Sequence, residues 1–190
     1  MLESFLVSTA IVAIAEVGDK TQLLAFILAA RYRKALPIIA GILVATIANH
    51  LLAAAVGHQA ARLFSEQTMY WILAASFLMI ALWTLIPDKM DDGGLASKYG
   101  PFITSLVAFF VAEMADKTQI ATVALAAQYP YFLLVVLGTT LGMMLANVPV
   151  VLIGNFATDR LPLRLIRTLA ALGFLILALY SAIKALLYLP

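Results

Sequence analysis

The sequence predicts an all-α membrane protein of six transmembrane helices, arranged as two inverted three-helix repeats. Three observations carry this expectation: an apolar composition, six predominantly apolar runs of membrane-crossing length, and an acidic motif duplicated at corresponding points of the two halves. Of 190 residues, 64% are hydrophobic and only 12% are charged, with a mean hydropathy of +1.03. Soluble domains carry roughly 25% charge, so this chain has too little polar surface for a soluble fold. Its 12 Lys and Arg against 10 Asp and Glu leave a net charge of +2. That excess is spread over short loops, which argues against nucleic acid as a partner. The absence of Cys excludes thiolate metal sites, disulfide frameworks and Cys nucleophiles. The start, Met1-Leu2-Glu3-Ser4, has no basic n-region, and no small-residue cleavage site follows before Glu16. The first apolar run therefore reads as a span and not as a removed signal peptide.

A helix needs about 20 mostly apolar residues to cross about 30 Å of hydrocarbon. The first candidate, 4–30, ends at the basic run Arg31 to Lys34. The second, 36–57, begins beside Pro37, and the third, 69–86, stops before Pro87. The fourth, 102–127, follows Pro101. Gln128-Tyr129-Pro130-Tyr131 then divides an uncharged stretch twice the length of one crossing, because Pro130 cannot continue helix hydrogen bonding. The fifth span, 131–156, contains Pro149 and should kink there; the sixth, 165–188, follows Pro162. Three spans fall in 1–86 and three in 101–190, joined by a linker over 87–100.

Short loops rich in Lys and Arg stay cytoplasmic. Arg31, Arg33, Lys34, Lys89, Lys98, Arg160, Arg164 and Arg167 all fall in or at the edge of loops on one side, against Arg62 and Lys184 on the other. Both termini are therefore expected outside. The acidic linker Pro87 to Gly94 lacks an EF-hand pattern and reads as a solvated connection.

Shifting the chain by 97 positions lays residues 15–32 over 112–129 with ten identities in eighteen pairs, and also aligns Gly41 with Gly138 and Gly57 with Gly154. A repeat of three spans must enter the membrane from the opposite side on its second occurrence, the plan of many secondary transporters with a site between the halves. Within the repeat, Glu16-Val17-Gly18-Asp19-Lys20-Thr21-Gln22 recurs as Glu113-Met114-Ala115-Asp116-Lys117-Thr118-Gln119. At about 1.5 Å per residue both copies lie roughly 18–24 Å from their span ends, near the midplane. Ionisable groups at that depth cost several kcal/mol each and mark ion or proton pathways.

In a continuous helix, spacing of three aligns Glu16, Asp19 and Gln22 on one face and lets Lys20 reach back to Glu16. Two such helices crossing antiparallel would bring together Glu16, Asp19, Glu113 and Asp116. The amide oxygens of Gln22 and Gln119 and the hydroxyls of Thr21 and Thr118 would join them as auxiliary ligands. An all-oxygen shell suits hard divalent cations such as Ca²⁺, Mg²⁺ or Mn²⁺. Four carboxylates and the charge-balancing Lys20 and Lys117 sum to −2, which one divalent ion or protons would neutralise, so cation/proton antiport is expected. Asn49, His50 and Asn147 lie at similar depth and would either complete the site or bond between helices. Gly18 would loosen the first helix; Ala115 lacks that freedom, so the second should be less unwound. Gly138-Thr139-Thr140-Leu141-Gly142 would pack within the chain or hold a homodimer. His58 is expected at the interface. Buried ion pairs that only fix packing, a passive cation channel and an intramembrane enzyme are the other classes; the last lacks a nucleophile setting, an HExxH motif or a phosphate-binding loop.

The two motif copies resemble the mark of the Gdt-type cation/proton exchangers, long an uncharacterised protein family, which includes bacterial manganese exporters. The resemblance spans essentially the whole chain and rests on Glu16-Val17-Gly18-Asp19-Lys20-Thr21 and Glu113-Met114-Ala115-Asp116-Lys117-Thr118, with Ala115 in place of the family's usual Gly. It implies export of Mn²⁺, or Ca²⁺ in some relatives, against protons. The cation is then substrate and not cofactor, the protein is a transporter and not an enzyme, and its home is the lipid bilayer of a bacterial inner membrane.

Overall fold

The computed structural model describes residues 2–86, 99–114, 116–153 and 163–187. These form eight α-helices and, among the described residues, no strand: α1 (Leu2–Glu16), α2 (Lys20–Tyr32), α3 (Ala35–Leu63), α4 (Glu66–Thr84), α5 (Pro101–Glu113), α6 (Lys117–Gln128), α7 (Phe132–Ile153) and α8 (Leu163–Leu187). Of these, α3, α4 and α7 are each long and apolar enough to cross a membrane, and α8 adds a shorter apolar stretch over Ala171–Leu187. The protein is therefore a helical membrane protein. The linker expectation at Pro87 to Gly94, the basic residues Lys89, Lys98 and Arg160, and Ala115 and Gly154 lie outside the described residues, as do the side chains of Arg164 and Arg167.

The principal departure from the sequence expectation is at the motifs. The runs 4–30 and 102–127 are not continuous helices; each is two short helices broken between Glu16 and Lys20, and between Glu113 and Lys117. The two breaks fall at equivalent positions of the repeat. Gly18 sits at φ 79°, a left-handed conformation that costs glycine nothing. Asp19 and Asp116 are extended N-caps of α2 and α6, at φ −81°, ψ 167° and φ −82°, ψ 164°. Lacking a continuous helix, Glu16, Asp19 and Gln22 do not share one helical face. The break at Gln128 to Tyr131 falls as expected, between α6 and α7, and Pro149 lies inside α7.

Each broken pair is flanked by a long helix of the other half. A Cβ on Gly41 of α3 would lie 2.6 Å from the Phe102 carbonyl oxygen and 2.9 Å from Ser105 Cβ. The repeat equivalents meet in the same way: a Cβ on Gly138 of α7 would lie 2.6 Å from Phe5 O and 3.0 Å from Ser8 Cβ. Further along α3, Asn49 Nδ2 donates to Phe110 O at 3.0 Å, and Gly57 abuts the Val123 backbone. Thus α3 runs beside α5 and α6 in the same direction. Along α7, Gly142 meets Thr9 and Ala13, and Ala146 O accepts from Gln22 Nε2 at 2.7 Å, so α7 likewise follows α1 and α2. The small-residue motif at Gly138 and Gly142 is therefore occupied by α1 within the chain; the dimer contact expected as its alternative has no free face there.

Helix α4 packs on α8, where the equivalent rings of Phe77 and Phe174 stack with centroids 6.4 Å apart. At one end of the bundle the Tyr32 hydroxyl lies 3.1 Å from Thr104 Oγ1, joining the α2–α3 turn to the start of α5. At the other end the Tyr129 hydroxyl bonds Glu3, and burial followed by the Glu3 charge pushes its pKa up to about 12. Gln67 also reaches Ala185 O there, at 3.5 Å. His58 pairs with Arg62 at 3.0 Å in this end region, one turn before α3 finishes.

The tightest of these glycine contacts are with backbone oxygens, which cannot swing aside. Gly41→Ala and Gly138→Ala should each lower stability by about 1–3 kcal/mol, read as a fall in detergent melting temperature by tryptophan fluorescence. Gly173→Ala should be tolerated, because its Cβ would meet only the flexible Cδ1 of Ile11 at 2.9 Å.

Candidate metal centre

The two breaks meet at the centre of the bundle. Each places a glutamate on the last residue of one half-helix and an aspartate at the cap of the next: Glu16 and Asp19 between α1 and α2, Glu113 and Asp116 between α5 and α6. The carboxylate at a helix N-terminus lies in a favourable dipole field. A glutamate beside exposed C-terminal carbonyls is instead placed where a cation is welcome. Burial is nearly complete, with exposures of 0% for Glu16, 5% for Asp19, 1% for Glu113 and 2% for Asp116.

One oxygen from each of Glu16, Asp19 and Asp116 lies within 4.8 Å of the others, so both halves contribute to one cluster. Glu113, placed with these three by the sequence pattern, is not a member of that group. The lysines also pair differently from the expected i, i+4 reach. Lys20 Nζ lies 2.6 Å from Asp116 Oδ1, and Lys117 Nζ pairs with Asp19 Oδ1. Neither ammonium returns to the glutamate four residues earlier, because the helix that would align them is broken there. Each lysine crosses to the other half, and the two crossings are repeat equivalents.

The threonines are not equivalent in use. Thr21 Oγ1 donates to Glu16 Oε2 at 2.8 Å, and Thr118 Oγ1 donates to Glu16 Oε1. Both hydroxyls therefore serve Glu16, whereas neither oxygen of Glu113 has a hydrogen-bond partner among the described residues. Gln22 supports the break: its Oε1 accepts from the Gly18 N–H at 2.8 Å while its Nε2 holds α7. Its oxygen is thus already engaged with backbone. Gln119 is half-buried one turn into α6.

Asn49 and Asn147 each spend Nδ2 on a carbonyl, of Phe110 at 3.0 Å and of Met143 at 3.1 Å. Their Oδ1 atoms, and both ring nitrogens of His50, are buried without a partner among the described residues. The hydroxyls of Thr46 and Thr140, likewise without a partner among the described residues, were not read as site groups from the sequence; apolar periodicity hides threonine in a membrane helix. The breaks themselves did leave a trace. Asp19-Lys20-Thr21-Gln22 and Asp116-Lys117-Thr118-Gln119 have the Asp-x-x-Gln spacing of a helix start.

Compared with known families, the chain matches the family model described as "Divalent cation/proton antiporter GDT1" over residues 4–92 and again over 101–188. A Vibrio cholerae protein named "Putative manganese exporter" is 55% identical over 177 residues, covering 93% of this chain and 88% of that one. An Arabidopsis thaliana "GDT1-like protein 5" is 29% identical, covering 95% of this chain and 96% of the relative. A Synechocystis GDT1-like protein is 28% identical with 95% and 97% coverage. No solved structure gives a significant match.

The crossed pairs differ in side-chain exposure, 3% and 1% for Lys117 and Asp19 against 26% for Lys20. Lys117→Met should therefore destabilise the metal-free protein by about 3–5 kcal/mol by stripping Asp19 of its buried counter-charge, and Lys20→Met by less. Adding Asp19→Asn to Lys117→Met should recover most of the loss, a coupling measurable by a double-mutant cycle of thermal unfolding.

Proposed function

This chain belongs to the GDT1 family of divalent cation/proton antiporters, and from that premise we propose that it exports Mn²⁺ from the cytoplasm in exchange for protons. The observation that carries the proposal is the closed carboxylate cluster of Glu16, Asp19 and Asp116, built from both halves at two helix breaks. These oxygens would hold the ion, with Glu113 as the fourth carboxylate and Asn49, Asn147, Thr21, Thr118, Gln22 and Gln119 as auxiliary groups. Counting −1 for each of the four acids and +1 for Lys20 and Lys117 leaves −2, which a divalent ion cancels in surroundings where net charge is costly.

Each lysine stands on an aspartate that the incoming ion needs. On this proposal Lys20 and Lys117 act as internal stand-in cations and withdraw when Mn²⁺ arrives. The uneven threonines support alternation between two states. If the repeats exchange roles, the oppositely facing state has Thr21 and Thr118 on Glu113 and releases Glu16.

Six crossings as two inverted repeats, with both termini outside a bacterial inner membrane, complete the proposal. Two features support it: each long helix runs alongside the broken pair of the opposite half, and Arg31, Arg33 and Lys34 lie at the bundle end opposite Glu3 and Tyr129. Manganese is preferred as substrate because of the name carried by the Vibrio relative. A Ca²⁺/proton exchanger is the second reading, since oxygen ligands accept either ion.

In inside-out vesicles with an imposed pH gradient, the wild type should accumulate Mn²⁺, and Glu16→Gln and Asp116→Asn should each lose gradient-driven uptake while remaining folded. Full retention in both variants would make the buried acids structural. Saturable Ca²⁺ uptake with no response to Mn²⁺ would select the exchanger of the second reading.

A further inference from the structure

We propose that His50 supplies an imidazole nitrogen to the transported ion and thereby sets the preference for Mn²⁺ over Ca²⁺ and Mg²⁺. The inference rests on the carrier function proposed above and adds a ligand of a different chemical kind. His50 is 0% exposed, and neither ring nitrogen has a hydrogen-bond partner among the described residues. A buried polar ring left so is costly in a membrane interior, where no water replaces the missing partner. Such a cost is retained where the group acts on something else.

Register says what that is. Residues seven apart share one face of a helix, so His50 lies on the face of α3 that carries Gly57. At Gly57 this face abuts the backbone of Val123 in α6, and α3 and α6 run in the same direction. Two turns back from Val123 is Asp116, the cap of α6 and a member of the carboxylate cluster. His50 is therefore level with Asp116, whose Oδ2 is itself buried with no partner among the described residues. The repeat equivalent of His50 is Asn147, which follows directly on Ala146, the residue whose carbonyl touches Gln22 beside the first break. Its carboxamide oxygen is also unpartnered. Register thus brings an imidazole from one half and an amide oxygen from the other to the level of the cluster.

This difference between the two flanks bears on selectivity. Ca²⁺ and Mg²⁺ take oxygen ligands, whereas a first-row transition ion gains from a neutral nitrogen donor. Three carboxylate oxygens, one amide oxygen and one imidazole nitrogen form a mixed set that an all-oxygen ion cannot use fully.

The test uses the full chain loaded with Mn²⁺ and electron spin-echo spectroscopy, which detects nitrogen bound to the ion. The chain has two histidines, so ¹⁵N-histidine labelling with His58→Gln isolates His50. Nitrogen coupling should appear in the wild type, persist in His58→Gln, shift on labelling and vanish in His50→Gln. In proteoliposome competition, His50→Gln should still carry Ca²⁺ while its Mn²⁺-to-Ca²⁺ preference falls at least about tenfold, the lower end of what even outer-shell changes cost metal sites. Bound Mn²⁺ without nitrogen coupling in the wild type, or an unchanged preference in a transporting His50→Gln, would overturn the role of His50 and leave the carrier proposal standing. Failure of the wild type to bind any divalent ion would remove both.

Discussion

Lys20 pairs with Asp116 and Lys117 with Asp19, so each broken helix carries an ammonium group whose counter-ion lies on the other half of the chain. In surroundings of low dielectric such a pair is held strongly, and a partner removed from it is an unscreened charge. The rest of the centre follows from this constraint. The aspartates must sit at helix caps to face across the bundle, and the caps require the breaks. The breaks in turn require a long intact helix beside each pair to carry the span, which α3 and α7 provide.

The polypeptide meets the cost of breaking a helix inside the bundle locally. Gln22 takes up the Gly18 N–H and fastens α2 to α7, and Thr21 bridges the gap to Glu16. Irregular backbone is tolerated inside a membrane where protein and not lipid surrounds it, and here the surrounding groups are the motif's own side chains. The motif is therefore as much a folding device as a set of ligands, which explains why its spacing is repeated when the flanking residues differ.

Much of this was legible in the sequence. The six apolar runs, the division at Pro130 and the duplicated acids needed only hydropathy, proline chemistry and a 97-residue shift. The breaks were obscured because apolar composition continues through them and Ala115, unlike Gly18, announces nothing. Asp-x-x-Gln was the available signal, outweighed by the length of the run. The partner of each lysine could not be read at all: Glu16 at i−4 is the local choice, and only tertiary packing brings Asp116 within 2.6 Å of Lys20. The unequal use of Thr21 and Thr118 is likewise invisible to a repeat that treats both alike.

The crossed pairs also bear on how such a chain can have arisen. One half alone would carry a lysine and an aspartate with no intramolecular way to join them. It would be satisfied only beside a second copy of itself, lying head to tail in the same bilayer, where each lysine meets its neighbour's aspartate. Gene duplication and fusion would then preserve an existing intermolecular contact and not invent a new one. Copies so fused would be free to diverge wherever the exchange of partners does not forbid it, and His50 and Asn147 are equivalent positions of the repeat that differ.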